Sequence, residues 1–201
     1  QGERKRDYVQ GSRYCTYSLN IQGKEIRLST SFGEFIQANT RVNEALVNHV
    51  YEQAQGSGSL LDLYCGSGNF SIPLSLTASD VTAVEMSSSL VSQGKFSAKK
   101  NRTEKVEFRT MDAHKAVLSF LDDKKSFSTI VLDPPREGAK QVAEILPDLK
   151  AERIIYISCN PTTLSRDLKP LVKAGYLLKN LRLFDMFPQT YHIESVVCLE
   201  R

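Results

Sequence analysis

The stretch Leu60-Leu-Asp-Leu-Tyr-Cys-Gly-Ser-Gly-Asn69 joins an apolar run to a glycine-containing turn, and Phe70 begins a segment that can form a helix. This order of strand, tight turn and helix is typical of the first unit of a doubly wound α/β fold. Gly66 and Gly68 allow the backbone to approach a ligand closely, and the helix start offers free N–H groups. A Gly-x-Gly pair alone is more often a plain loop, so its neighbours have to support this interpretation.

Two acidic residues support it. Asp62 lies within the apolar run, and Glu85 closes the next one, Val81-Thr-Ala-Val-Glu85. A carboxylate at the end of the second strand can accept hydrogen bonds from both hydroxyls of a ribose. Ser71 stands where a dinucleotide-binding sequence has its third glycine, so a nucleoside without a pyrophosphate, such as S-adenosylmethionine, fits better. We therefore predict a methyltransferase-type cofactor site that includes Gly66, Gly68 and Glu85.

Apolar runs and amphipathic segments alternate through the rest of the chain, which predicts an α/β fold with a mostly parallel sheet and helices on both faces. The predicted strands are 60–64, 81–85, 105–110, 127–132, 153–157, 176–185 and 191–199. The predicted helices begin at Thr40 or cover 70–77, 87–100, 112–121 and 162–174. The last two strands would close a Rossmann-like, seven-stranded sheet as an antiparallel pair.

The N-terminal part has a different pattern. Residues 14–30 alternate between polar and apolar side chains around a turn at Gln22-Gly23, which predicts a β-hairpin. We interpret residues 1–30 as an N-terminal appendage, the remnant of a preceding domain, and residues 31–201 as the catalytic domain. Because the sequence begins with Gln rather than Met, it is consistent with a fragment of a longer protein.

Composition narrows the functional classes. The chain has 201 residues, of which 41% are hydrophobic and 24% charged, as expected for one soluble globular domain. The net charge of +3 does not by itself indicate a nucleic-acid-binding protein, although Arg4-Lys-Arg6 and Arg13 form a local basic patch. The sequence has neither a leader-like segment nor a long apolar run, so we expect a cytoplasmic protein with reduced thiols.

The 4 cysteines are far apart and form no Cys-x-x-Cys pair, which argues against zinc or an iron–sulfur cluster, and we predict no metal site. Cys159 lies in Ser158-Cys-Asn-Pro161, after a buried strand and before a helix start. Local N–H groups and the helix dipole there favour a thiolate, so Cys159 is the candidate nucleophile. We expect Cys15 and Cys198 to be buried structural residues and Cys65 to shape the glycine turn.

Polar residues also follow the later strands, at the sheet edge where such folds bind ligands. Asp133 precedes two prolines, and its carboxylate could accept a hydrogen bond from the edge of a base or from the cofactor amine. Arg136 occupies the place of the aromatic residue in the Asp-Pro-Pro-Tyr of amino-methyltransferases, which weakens that interpretation. His192 and Glu194 are expected on one face of the last strand, and Glu194 is a candidate base.

Five segments together resemble the RNA uracil-C5 methyltransferases, which make 5-methyluridine in tRNA and rRNA, and the resemblance runs from about Phe32 to the end. The segments are Phe35-Ile-Gln-Ala-Asn39, Asp62-Leu-Tyr-Cys-Gly-Ser-Gly-Asn-Phe70, Leu132-Asp-Pro-Pro-Arg136, Ser158-Cys-Asn-Pro-x-Thr-Leu-x-Arg-Asp167 and Asp185-Met-Phe-Pro-x-Thr-x-His-x-Glu194. The resemblance implies a seven-stranded S-adenosylmethionine methyltransferase fold, with Cys159 as nucleophile and Glu194 as base. It further implies cofactor or target-base contacts for Gln37, Tyr64, Asn69, Glu85, Asp112 and Asp133.

In the implied chemistry, the thiolate adds to C6 of uracil so that C5 becomes nucleophilic, and the base later removes the C5 proton. The partner would be an unpaired uridine of RNA, and we expect the chain to act as a monomer. Asp185-Met-Phe-Pro-Gln-Thr190 looks more like the rRNA branch than the tRNA branch. Members of the family usually also carry an RNA-binding barrel, and we recognise no pattern for one in these residues. Alternatives are a cytosine-C5 or amino-methyltransferase that uses Asp133, or a non-catalytic RNA-binding fragment.

Overall fold

A seven-stranded sheet and a separate two-stranded hairpin form the β structure of the chain, which the computed structural model describes over residues 14–31, 33, 37, 39–190 and 192–201. The strands are β1 (Tyr14–Ile21), β2 (Lys24–Ser31), β3 (Ser59–Leu63), β4 (Asp80–Glu85), β5 (Val106–Thr110), β6 (Thr129–Leu132), β7 (Arg153–Ser158), β8 (Leu177–Phe184) and β9 (Glu194–Glu200). The helices are α1 (Thr40–Gln53), α2 (Ser71–Leu74), α3 (Ser88–Lys100), α4 (Ala113–Asp122), α5 (Lys140–Ile145) and α6 (Pro161–Lys173), with a 3-10 helix at Leu146–Leu149.

The strand order confirms the predicted α/β class and the antiparallel end of the sheet. The sheet has the order β5-β4-β3-β6-β7-β9-β8, with parallel pairing from β5 to β7 and antiparallel pairing of β9 with both of its neighbours. The central strands β3 and β6 are buried along almost their whole length, as continuous apolar runs predict. The chain order reverses direction between β3 and β6, and ligands of open α/β sheets bind at such a point.

Short polar side chains cap four of the helices that connect the strands. The caps are Asn39 for α1, Ser87 for α3, Asp112 for α4 and Asn160 for α6, and each accepts a hydrogen bond from a first-turn N–H. Capping of this kind satisfies N–H groups that have no partner within the helix. Pro161 suits the first position of α6 because its missing N–H would have no intrahelical acceptor.

Several predicted boundaries were wrong. The predicted helix 70–77 is reduced to the four residues of α2, and the predicted strand 127–132 begins only at Thr129. Helix α5 and the 3-10 helix were not predicted, since each is too short to show a helical period. The last strand begins at Glu194, later than predicted. A turn precedes it, in which the Thr190 N–H donates to the Phe187 carbonyl and the Thr190 hydroxyl accepts from the His192 N–H.

Two apolar clusters cover the two faces of the sheet. The hairpin shares the first cluster, in which its Leu19 and Leu28 are completely buried together with Leu46 of α1. Helix α3 lies close to β5 at Gly94, where an added Cβ would come within 2.4 Å of the Phe108 ring. Within the described ranges, none of the helices has both the length and the apolarity needed to cross a bilayer.

Candidate active site

The ends of four parallel strands and the start of β9 meet at one edge of the sheet. Because β9 runs antiparallel to β7, Ser195 pairs with Ser158, so Glu194 and Cys159 leave the sheet side by side. This edge carries most of the residues that the sequence predicted for the site, namely Tyr64, Gly66, Gly68, Glu85, Asp133, Cys159 and Glu194.

The turn after β3 has a backbone that few residues adopt. Tyr64, Gly66 and Gly68 have φ angles of 63°, 54° and 93°. A Cβ at Gly68 would lie 3.0 Å from Ile72 and from Phe108, whereas a Cβ at Gly66 would meet nothing within 4 Å. Gly68 is therefore needed for packing, while Gly66 faces open space. A non-glycine residue in the left-handed region, such as Tyr64, is a feature that clusters at functional sites.

Glu85 lies against the glycine turn, as the sequence argument expects. Its Oε2 accepts from the Gly66 N–H at 3.2 Å, and its Oε1 accepts from the Ser87 N–H at 2.8 Å. The half-buried carboxylate thus connects the ends of β3 and β4 and lies next to the space in front of Gly66. It is well placed to accept further hydrogen bonds from a diol.

Asp62 lies beneath this turn in β3 and is completely buried. Its Oδ2 accepts from the Ser71 hydroxyl, while its Oδ1 has no hydrogen-bond partner among the described residues. Burial raises the pKa of Asp62 to about 7, and the nearby charge of Glu85 adds to the shift. A buried polar atom without a partner is uncommon, so Oδ1 of Asp62 provides a free hydrogen-bond acceptor beneath the turn.

The resemblance also implies Asn69, Asp112 and Gln37 for the site, and the contacts of Asn69 and Asp112 are with the protein itself. The Asn69 side chain exchanges two hydrogen bonds with Asn43 of α1, at 2.9 and 3.0 Å, so it holds α1 against the turn. Asp112 is exposed and caps α4 by accepting from the Lys115 N–H. Gln37 is half-buried, and residues 34–36 and 38 beside it lie outside the described part. The basic patch at Arg4 to Arg6 and Arg13 also lies outside it.

The second half of the site contains one thiol and two carboxyl groups. Burial raises the pKa of Asp133 to about 8, and the charges of Glu194 and Asp62 contribute. Burial also raises the pKa of Glu194 above its ordinary value. Two carboxyl groups with raised pKa values therefore lie close enough to the Cys159 thiol for their charges to affect it.

A local backbone N–H favours the Cys159 thiolate, as the sequence suggests, but the pKa of this thiol is nevertheless raised. Burial raises the pKa of Cys159, and the charges of Glu194 and Asp133 raise it further, while the Arg136 guanidinium lowers it. Burial is the largest cause, and together with the neighbouring carboxylates it outweighs the local N–H group and Arg136. These surroundings cannot be recognised from local sequence. Arg136 is therefore the cation that sequence reasoning did not connect with the nucleophile.

The other thiols follow the predictions only in part. Cys65 and Cys198 are buried, whereas Cys15 is exposed on the hairpin, against expectation. Cys15 belongs to the same alternating face of β1 as the buried Leu19 and Ile21, but it lies near the start of the strand, where that face is exposed. His192 also does not share a strand face with Glu194, because it precedes β9; its ring packs against Phe187 at 6.0 Å.

A cleft of about 480 Å³ opens between the start of α1 and the loop before β9. Its lining residues are Asn39, Thr40, Arg41, Met186, Phe187, Pro188 and Thr190. In the described ranges, no cluster of three His, Cys, Asp or Glu side chains is arranged to hold a metal ion.

Comparison with known proteins gives a consistent result. The family described as tRNA (Uracil-5-)-methyltransferase matches residues 2–201. A 23S rRNA (uracil(1939)-C(5))-methyltransferase RlmD of Pseudomonas fluorescens strain Pf0-1 is 39% identical over 183 residues, which are 90% of this chain and 40% of the relative. A protein of the same name from Shewanella sp. strain W3-18-1 is 38% identical over 189 residues, 93% of this chain and 42% of the relative. The chain thus spans about two fifths of the length of these relatives.

Solved structures agree with the fold. The crystal structure of Pyrococcus abyssi tRNA (uracil-54, C5)-methyltransferase in complex with S-adenosyl-L-homocysteine superposes with a TM-score of 0.81 at 27% identity, covering 98% of this chain and 48% of that chain. Magnesium protoporphyrin IX methyltransferase from Synechocystis superposes at 0.61 with 17% identity, covering 84% of each chain. At that identity the second likeness concerns the fold alone.

Proposed function

Because this chain belongs to the tRNA (uracil-5-)-methyltransferase family, we propose that it is the catalytic part of an enzyme that methylates C5 of uracil in RNA, with S-adenosylmethionine as the methyl donor. The observation that carries the proposal is the position of Cys159 beside Glu194, at the sheet edge that also holds Glu85 and the glycine turn. One thiol, one carboxyl base and a nucleoside-binding turn are what this chemistry requires, and it requires no metal.

The residues present fit the adenosyl cofactor. Open space faces Gly66, the Glu85 carboxylate lies beside that space, and the buried Oδ1 of Asp62 has no partner below it. Glu85 would hold the ribose hydroxyls, and the turn around Gly66 would lie against the amino-acid part. When bound, the cofactor supplies a methyl group on a sulfonium. Gln37, Tyr64, Asn69, Asp112 and Asp133 remain proposed contacts to cofactor or base.

Cys159 and Glu194 divide the chemistry between them. The Cys159 thiol loses its proton to solvent, and the thiolate adds to C6 of uracil. The C5–C6 π electron pair moves onto C5 and O4 as an enolate. After C5 has gained the methyl group, Glu194 removes the C5 proton, and the sulfur leaves C6 as the double bond re-forms. Asp133, whose pKa is about 8, holds a proton near neutral pH and can donate it in a hydrogen bond to uracil O4.

We propose rRNA as the RNA class. Several relatives are named 23S rRNA methyltransferases, and the segment Asp185 to Thr190 resembles that branch. The target uridine has to leave any base stack to reach the thiol, which costs least in an unpaired loop. The reaction would take place in the cytoplasm, and the chain would act as a monomer.

A 5-fluorouridine substrate tests the proposal, because fluorine at C5 leaves no proton for Glu194 to remove. RNA carrying this base should form a denaturation-resistant complex with the chain only when S-adenosylmethionine is present. Cys159→Ala should abolish the complex, and Cys15→Ala, which removes an exposed thiol on the hairpin, should retain it. A complex that persists in Cys159→Ala would refute the assignment of the nucleophile, and methylated adenine or cytosine among the products would refute the reaction.

A further inference from the structure

The loop between β6 and α5, residues 133–139, is attached to α6 through its backbone. The Arg136 carbonyl accepts two hydrogen bonds, from Nδ2 of Asn160 and from Oγ1 of Thr163, both at 3.2 Å. Asn160 directly follows Cys159 and caps α6. The loop that carries Asp133 is therefore connected to the turn that carries the thiol.

One turn further along α6, Arg166 and Asp167 hold the next residues of this loop. Nη2 of Arg166 donates to the Glu137 carbonyl at 2.7 Å, and Oδ2 of Asp167 accepts from the Ala139 N–H at 2.6 Å. The two side chains are also paired, with Nε of Arg166 donating to Oδ1 of Asp167 at 2.7 Å. Tyr156 of β7 completes the set by donating its hydroxyl to Asp167 Oδ2 at 2.7 Å.

The surroundings of Asp167 favour its charged form. Its side chain has 0% exposure, against 41% for Arg166. Burial alone would raise the pKa of Asp167, but hydrogen bonds from Arg166, the Ala139 N–H and Tyr156 outweigh it, so the pKa lies below its ordinary value. A buried carboxylate with this many donors is rigid.

Gly138 shows how closely the loop approaches these side chains. Its φ is +75°, and a Cβ there would lie 2.4 Å from Asp167 Oδ2 and 2.6 Å from Arg166 Nη2. Any side chain at this position would have to displace the paired groups or the loop. The glycine, Arg166 and Asp167 therefore form one contact surface.

We propose that Arg166 and Asp167 are positioning residues, which fix residues 136–139 against the Cys159 turn and so set where Arg136 stands relative to the thiol. The proposal rests on the function proposed above, since it assigns these residues to the same site. Cys159 would then directly precede helix α6, and the second turn of the same helix would carry Arg166 and Asp167, which hold the neighbouring loop.

The charges around the Cys159 thiol show why the position of Arg136 matters. Glu194 and Asp133 both oppose ionisation of Cys159, and Arg136 favours it. Arg136 lies on the loop that Arg166 and Asp167 hold, whereas Glu194 lies on β9, which is held by strand pairing with β7 and β8. Releasing residues 136–139 would remove the favourable charge of Arg136, whereas Asp133, held at the end of β6 through the Leu63 carbonyl, and Glu194 would keep their unfavourable charges in place.

The reactivity of the thiol tests this without reference to methyl transfer. Alkylation of Cys159 by iodoacetamide is followed by peptide mass spectrometry from pH 6 to 10, together with thermal melting of each variant. Arg166→Gln, which removes a half-exposed side chain, and Gly138→Ala, which retains both positioning residues, should each move the alkylation midpoint to higher pH. The Cys159 thiolate near neutral pH should fall at least about threefold. Arg166→Lys should retain more of the Cys159 thiolate than Arg166→Gln. The control Gly58→Ala, whose added Cβ would lie 3.5 Å from the nearest atom, should leave the alkylation midpoint unchanged.

Methyl transfer gives the second readout. Misplacing the loop should lower kcat by about tenfold or more with a smaller change in KM, because an ångström-scale displacement of a catalytic group is costly. Folded Arg166→Gln and Gly138→Ala variants with the wild-type alkylation midpoint and kcat would overturn the proposal. So would variants whose only change is a lower melting temperature. A wild-type chain that never methylates uracil would instead refute the proposed function, and the alkylation result would still judge the positioning role.

Discussion

Replacing Glu85 by alanine should affect both the stability of the turn and the binding of the cofactor, and the two effects can be separated. In the structure the carboxylate accepts from the Gly66 N–H at 3.2 Å and from the Ser87 N–H at 2.8 Å. Hydrogen bonds to a charged acceptor contribute roughly 1.5–3 kcal/mol each when buried. Glu85 is half-buried and water can replace part of this, so we expect Glu85→Ala to lower the free energy of unfolding by about 1–3 kcal/mol in total.

The loss in cofactor binding should be larger than loosening of the turn explains. The ribose hydroxyls would lose one charged acceptor, worth roughly 1.5–3 kcal/mol, which corresponds to an increase in Kd of about ten- to 150-fold. Titration calorimetry with S-adenosylhomocysteine measures this, and urea unfolding measures the stability. Glu107→Ala is the matched control, because Glu107 lies on the neighbouring β5 in an exposed ion pair with Arg109.

The comparison of the two variants decides the role of Glu85. If Glu85→Ala lowers stability and binds S-adenosylhomocysteine as tightly as the wild type, Glu85 merely holds the turn, and the ribose assignment is wrong. If Glu107→Ala weakens binding as much as Glu85→Ala does, the effect does not come from a contact to the ribose.

Three further outcomes follow from the structure. Glu194→Gln should accumulate a covalent protein–RNA species whose uracil already carries the methyl group, detected by nuclease digestion and mass spectrometry; free product at the wild-type rate would contradict its role as base. Asp62 has a pKa of about 7 when folded against 3.8 as its ordinary value, so the folded state holds more protons between these values and stability should fall as pH rises from 4 to 7. Asp62→Asn should flatten this slope in urea unfolding at pH 4.5, 6 and 8, and an unchanged slope would exclude Asp62 as its source. Gly94→Ala should cost about 1–3 kcal/mol of unfolding free energy, because its Cβ would lie 2.4 Å from Phe108, and a variant as stable as the wild type would show that α3 can move away from β5 freely.

The buried strands and the longer helices could be predicted from the sequence because their signals are local. Continuous apolar runs mark β3 and β6, and capping residues such as Ser87 and Asp112 mark the helix starts within a few positions. Five ordered segments also sufficed to indicate the family. Short elements such as α2 and α5 were missed or extended, since less than two turns carries no periodicity that distinguishes a helix from a loop.

The sequence by itself determined the succession of strands and helices, the glycine turn and the order of the reactive residues, because each depends on neighbours along the chain. Only the tertiary structure decided which of these residues meet. The antiparallel insertion of β9 places Glu194 beside Cys159, and packing of α6 on the 133–139 loop joins Asp167 to Ala139. Those contacts in turn set the surroundings of the thiol, where burial and then the charges of Glu194 and Asp133 raise the pKa of Cys159. Electrostatic interactions act through space, so the state of the Cys159 thiol is settled by groups that lie far from it in sequence.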